Sequence, residues 1–147
     1  MPQPDQCNER EDRPWGWFET LGRGDGYLLK RLCIGAGRRI SRQRHRHRCE
    51  HWVVVQGEGW LECDGRQVAA RAGTTLFIPI GAIHRAGAGG SDLLIIEVQR
   101  GAPLSEDDIE RLADDYGRGP IPERLAPTGG GGDVGETGPH HEEGGKS

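Results

Sequence analysis

No uninterrupted apolar run in this sequence exceeds a few residues, which excludes a membrane-spanning helix. The N-terminus lacks the basic-then-apolar pattern of an export signal. The four cysteines, Cys7, Cys33, Cys49 and Cys63, form neither a Cys-x-x-Cys pair nor an evenly spaced framework, so they read as reduced thiols of a cytoplasmic protein. Basic excess is missing as well: 19 Lys and Arg stand against 23 Asp and Glu, a formal charge of -4, which argues against a general nucleic-acid binder. No Gly-rich phosphate loop enters a helix near the N-terminus, where Gly22-Arg23-Gly24-Asp25-Gly26 reads as a turn between strands. Aromatics are scarce, at 5% of the chain, yet Trp15, Trp17 and Phe18 fall together, where they are expected to fill core or a subunit contact.

What the chain does have is two stretches dense in side chains that bind metals. From Gly37 to Gly57 it reads GRRISRQRHRHRCEHWVVVQG, and from Gly73 to His84 it reads GTTLFIPIGAIH. Together they hold Gln43, His45, Glu50 and His84. In the first stretch, strand alternation puts Gln43, His45 and His47 on one face and Arg42, Arg44, Arg46 and Arg48 on the other. After a bend, Glu50 opens a second strand of strand formers, Trp52 to Val55, closed by Gly57. A Gln, two His and a Glu make a nitrogen and oxygen set suited to zinc, manganese, iron or cobalt, with positions left open for substrate or water. The plainer alternative is a hydrogen-bonded polar interior. The arginine run reads as a solvated outer face that blocks edge pairing, against a polyanion patch as the alternative.

In chain order, residues 1–12 are polar and expected to be mobile, and residues 13–118 form one domain. Its short strands, separated by Gly turns, predict an all-β sandwich or barrel. Lys30 and Arg31 point to opposite faces of one strand, so only one can face inward. The run Asp92 to Val98 is apolar enough to be buried on both faces, and it carries Glu97 as a further candidate carboxylate. Ser105 and Asp108 have the spacing of a capping box, so a short C-terminal helix is expected from Ser105, with Ile109, Leu112, Ala113 and Tyr116 on its inner face and Gly117 at its end. Residues 119–147 form a Gly- and Pro-rich acidic tail that lacks the apolar content to order, His140 and His141 included.

Gly37, Gln43, His45, Glu50 and Gly57 fit the spacing of the first cupin motif, and Gly73, Pro79, Gly81 and His84 fit the second. The chain therefore resembles a single cupin, a double-stranded β-helix or jelly-roll barrel. This register takes Gln43 rather than His47 as the first ligand, with His47 as the alternate. Further matches lie at Arg13-Pro14-Trp15-Gly16, Gly24-Asp25-Gly26-Tyr27, Lys30-Arg31, His47-Arg48, His51-Trp52, Ile78-Pro79-Ile80-Gly81, His84-Arg85 and Glu106-Asp107-Asp108-Ile109. Together they are similar to the C-terminal domain of type II phosphomannose isomerases, which are commonly fused to a mannose-1-phosphate guanylyltransferase domain; 147 residues leave no room for that second domain. The resemblance implies reversible interconversion of mannose 6-phosphate and fructose 6-phosphate through an enediol. It implies a divalent metal, zinc first, on Gln43, His45, Glu50 and His84. His47 or Lys30 is the expected catalytic base, and Arg48 and Arg85 are expected to bind the phosphosugar substrate. A homodimer is expected. Two other classes stay open: a sugar-binding or regulatory cupin without turnover, and a metal cupin dioxygenase.

Overall fold

Short runs of β-branched and apolar residues, each closed by a glycine turn, build strands throughout the domain. The computed structural model describes residues 9–118, and among them there are eleven strands and no helix. In chain order these are β1 (Arg10–Arg13), β2 (Gly16–Gly24), β3 (Tyr27–Ile34), β4 (Arg42–Arg44), β5 (Arg48–Gln56), β6 (Gly59–Cys63), β7 (Arg66–Ala70), β8 (Thr75–Ile78), β9 (His84–Ala88), β10 (Leu93–Gly101) and β11 (Glu110–Ala113). They make a six-stranded sheet ordered β1-β2-β3-β10-β5-β8 and a five-stranded sheet ordered β11-β4-β9-β6-β7, and every pairing is antiparallel.

The inward faces of three neighbouring strands change character at the same level. On β10, Leu93 and Ile95 give way to Glu97 and Gln99; on β5, Val54 and Trp52 give way to Glu50 and Arg48; on β3, Ile34 and Leu32 give way to Lys30, and all eleven side chains are buried. Register holds the change in line, since Ile95 lies opposite Leu32 and Val54, and Glu97 lies opposite Lys30 and Trp52. One end of the interior is therefore apolar core, completed by Leu61, Ile78 and Ala86. The other end is polar and holds the candidate site.

Three expectations are corrected. Residues 105–117 form no helix: a turn at Glu106 and Asp107 leads into β11, which pairs with β4. The hydrogen-bonding edge of β4 takes up this segment, so the capping-box residues close a single turn, with the Asp108 N–H donating to the Ser105 carbonyl at 3.2 Å. Strand β10 is not buried on both faces, since Leu94, Ile96 and Val98 are only half-buried. Order also begins earlier than Arg13, because Arg10 to Asp12 pair with β2. The remainder of the expected mobile N-terminus, 1–8, and the tail 119–147 with His140 and His141 lie outside the described residues. Trp15 and Phe18 join the core, whereas Trp17 is half-buried beneath the Arg10 guanidinium, 3.9 Å from its ring centre. Among the described residues no helix is long and apolar enough to cross a membrane.

Candidate metal centre

Three of the four expected ligands meet. His45 stands just past β4, Glu50 faces inward near the start of β5, and His84 opens β9; their ligand atoms lie within 4.8 Å of one another and all three side chains are buried. His45 Nε2 is 2.9 Å from Glu50 Oε1, His84 Nε2 is 3.6 Å from Glu50 Oε2, and the two Nε2 atoms are 3.2 Å apart.

The other ring nitrogens decide what these atoms can do. His45 Nδ1 donates to the Asp108 carbonyl at 2.7 Å and His84 Nδ1 donates to the Ala82 carbonyl at 2.9 Å. A neutral imidazole carries one N–H, so both Nε2 atoms are lone pairs aimed at each other and at a carboxylate. Arg48 meets the group in part, with Nη2 3.3 Å from His45 Nε2 and Nε 3.2 Å from Glu50 Oε1, but the two Nε2 atoms still face each other at 3.2 Å. Either one ring is protonated, or a metal ion satisfies all three at once, and fixing the tautomer through the far nitrogen is how proteins prepare histidine for a metal. Burial, which the Glu50 charge only partly offsets, pushes His84 below its ordinary value and keeps it neutral. Burial alone would raise the Glu50 carboxyl, but the hydrogen bond that a protonated His45 would donate through Nε2, together with the neighbouring groups, outweighs it and holds Glu50 well below the carboxylate range. The donor set thus fits a divalent ion.

Beside the group, on the Glu50 side, lies a cavity of about 80 Å³. Gln43, the fourth expected ligand, lines it beside Glu50 and sits opposite His84 across the β4–β9 pair; its Oε1 accepts the Ser41 hydroxyl at 3.0 Å. Arg48 turns in, contrary to the outward face expected for the whole arginine run, because the strand breaks at Arg46 and His47 before β5 begins. Its Nε lies 3.2 Å from Glu50 Oε1 and its Nη1 donates to the Ser105 carbonyl at 3.0 Å. Lys30 also faces inward, buried under the Phe18 ring and ion-paired with Glu106.

Two expected residues are elsewhere. The same break leaves His47 exposed, lining a separate outer cavity of about 540 Å³. Arg85 follows His84 on β9 and so points to the opposite face, where it donates to the Ile40 carbonyl at 2.7 Å and pairs with Asp115 at 3.3 Å. Neither lines the inner cavity.

Sequence reasoning left Glu97 open and missed Trp52, Gln99 and Arg111. The Trp52 indole Nε1 lies 3.1 Å from both Glu50 Oε2 and Glu97 Oε1, and Gln99 Nε2 donates to Glu97 Oε2 at 3.1 Å. Burial, then the charge of Glu50, push the Glu97 carboxyl well above its ordinary value, so it stays protonated beside an ionised Glu50. The period of two along β10 carried the signal: Glu97 and Gln99 share the face of Leu93 and Ile95. Arg111 had no such signal.

The family model described as "Mannose-6-phosphate isomerase C-terminal" matches residues 3–114. The chain belongs to this family. Among curated members of related sequence, the alginate biosynthesis protein AlgA of Pseudomonas aeruginosa is 44% identical over 107 residues, 72% of this chain and 22% of AlgA. A mannose-1-phosphate guanylyltransferase of Escherichia coli K12 is 42% identical over 107 residues, again 72% of this chain and 22% of the relative. The isomerase-family chain thus spans about a fifth of the length of these relatives, and the match lies in their cupin part. Solved structures agree on the fold alone: an RmlC-like cupin from Shewanella frigidimarina has a TM-score of 0.60 at 22% identity, covering 71% of this chain and 92% of its own. KdgF from Halomonas has a TM-score of 0.60 at 18% identity, covering 71% of this chain and 94% of its own.

Proposed function

We propose that this domain is a metal-dependent mannose-6-phosphate isomerase that interconverts mannose 6-phosphate and fructose 6-phosphate, in the supply of GDP-mannose and polysaccharide precursors. The observation that carries the reading is the convergence of His45 Nε2 and His84 Nε2 on Glu50, with Lys30 and Arg48 lining the cavity that Glu50 also lines. His45, Glu50 and His84 would hold the ion, with Gln43 as the fourth donor; zinc suits this set best, and cobalt, manganese and iron also fit it. When bound, the ion supplies a Lewis acid that steadies negative charge on the sugar oxygens.

The reaction moves a proton from C2 to C1 of the open-chain sugar and a hydroxyl proton between their oxygens, through an enediol. A base is needed for the carbon-bound proton and a cation for the oxygen it leaves charged. Of the two groups expected to do this work, Lys30 is in the cavity and His47 is not. Lys30 steadies the oxygen, and Glu106, ion-paired with it, accepts the proton from C2 and returns it to C1. Arg48 orients the sugar hydroxyls. Trp52 and the protonated Glu97 keep Glu50 fixed and exclude water behind it. The protein acts in the cytoplasm as a homodimer, for which the exposed Val53, Val55 and Phe77 offer apolar surface; light scattering in solution tests the dimer.

The deciding experiment is a coupled assay on mannose 6-phosphate with zinc, cobalt or manganese added, beside His84→Ala. Metal-dependent turnover that the variant loses is the expected result. Absence of turnover from folded, metal-loaded protein overturns it in favour of a sugar-binding cupin, and oxygen uptake with iron would instead mark a dioxygenase.

A further inference from the structure

Five cations line the inner cavity, and four of them have a carboxylate of their own. Lys30 is paired with Glu106 and Arg48 with Glu50, while Arg13 pairs with Glu11 at 2.9 Å and Arg118 pairs with Asp114 at 3.0 Å. Arg111 is the exception. Among the described residues it makes no ion pair, and its Nε is buried with no hydrogen-bond partner. Leaving a buried guanidinium donor without a partner is costly, so an arginine with no ion pair in the cavity wall is suited to take a ligand.

The register says where that ligand lies. Arg111 on β11 is the direct partner of Gln43 on β4, and Gln43 is the direct partner of His84 on β9. Directly opposed residues of adjacent strands share a face. Arg111, Gln43 and His84 therefore form one row, two strand spacings long, roughly 10 Å between the end Cα atoms. A six-carbon sugar with its first two carbons at the metal group reaches along such a row with its far end. The inner cavity of about 80 Å³ has room for only two or three waters at roughly 30 Å³ each, so the far end must sit at its mouth. Arg111 lines both this cavity and the outer one of about 540 Å³.

We infer that Arg111 anchors an anion subsite at this mouth, which takes the phosphate of a phosphorylated sugar and sets the preference for it over the free sugar. The inference rests on the isomerase reading for the identity of the sugar, though not for the presence of the anion site. Arg118 and Arg13 add positive charge nearby: burial, then the charge of Arg118, lower the Arg111 guanidinium from its ordinary value, with Arg13 adding to the shift and the carboxylates of Asp114 and Glu106 opposing it. A phosphate dianion would reverse that crowding and take up the unmade Nε donor, in the forked geometry that arginine offers to phosphate.

The test is calorimetric binding of mannitol 1-phosphate, which has no carbonyl and cannot isomerise, beside mannitol. Metal-loaded protein is compared with Arg111→Ala. The expected result is affinity for the phosphate ester about tenfold to a hundredfold weaker in the variant, with mannitol binding unchanged. Equal affinity of both proteins for mannitol 1-phosphate, no binding by the wild type, or equal losses for both ligands would overturn the subsite. If Arg111→Ala does not fold, as read by its thermal unfolding, Arg111→Gln takes its place under the same criterion. Arg111-dependent binding without turnover of mannose 6-phosphate keeps the subsite and sinks the isomerase; turnover with Arg111-independent binding does the reverse.

Discussion

Asp108 holds two parts of the site together from one position. Its carbonyl takes the His45 Nδ1 proton, and its carboxylate accepts the N–H groups of Arg46 at 2.8 Å and His47 at 2.9 Å. Those two donors belong to the bend that ends β4 and turns Arg48 inward. Burial tends to raise the Asp108 carboxyl, but the two N–H bonds outweigh it and hold it below its ordinary value. A carboxyl depressed in the folded state adds stability that is complete above its unfolded pKa of about 3.9 and is lost as the pH falls through the lower folded value. Asp108→Ala is expected to lose about 1–2 kcal/mol at neutral pH, discounted for the solvent around this partly exposed group, and to lose progressively less as the pH drops below 3.9. Urea unfolding at pH 7 and pH 3 measures both; a loss as large at pH 3 as at pH 7 would exclude the carboxylate as its source. The sequence carried Asp108 only as a helix-capping residue. Its true partners lie more than sixty positions back, at the bend, and no local pattern reports that.

At the scale of elements, the turn after β5 depends on one glycine. Gly57 has a φ of 92°, and a Cβ there would stand 1.9 Å from the Asp92 carbonyl oxygen. That contact is backbone on both sides, so it yields only if β5 and β10 separate, and β10 carries Glu97 and Gln99 behind the site. Gly65, at a φ of 80°, has nothing within 4 Å of such a Cβ. Gly57→Ala is expected to cost about 2–4 kcal/mol, against about 1–2 kcal/mol for Gly65→Ala, where the backbone conformation alone is penalised. Denaturant midpoints compare the two; equal losses would refute the steric part. Motif spacing made Gly57, Glu50 and His84 legible because each motif residue answers to a local demand of a turn or a strand end. The C-terminal segment was misread for a related reason. Ser105, Asp108 and the apolar residues at Ile109 and Leu112 satisfy helix rules locally, but the edge of β4 offers Glu110 to Ala113 a ladder that a helix would leave unpaired. Arg111 reached the site through that pairing.

Across the whole molecule, the metal group is a joint between the two sheets. Glu50 belongs to β5 of the six-stranded sheet and His84 to β9 of the five-stranded one, and His45 stands in the connection from β4 to β5. An ion held by all three would clamp the open polar end, where the apolar core supplies no cohesion. Metal should therefore bind the folded state far better than the unfolded chain and raise its stability by mass action. Free zinc at a hundredfold over its dissociation constant adds about 2.7 kcal/mol, on the order of 10 °C in the unfolding midpoint for a domain of this size. The stabilisation grows with the logarithm of free metal, so calorimetric scans of chelator-stripped protein at rising zinc should show the midpoint climbing steadily. His84→Ala removes one arm of the joint and should flatten that line. A wild-type midpoint indifferent to zinc, cobalt and manganese would mean that no such ion sits among His45, Glu50 and His84. A climb of equal slope in His84→Ala would place the stabilising ion somewhere other than between the sheets.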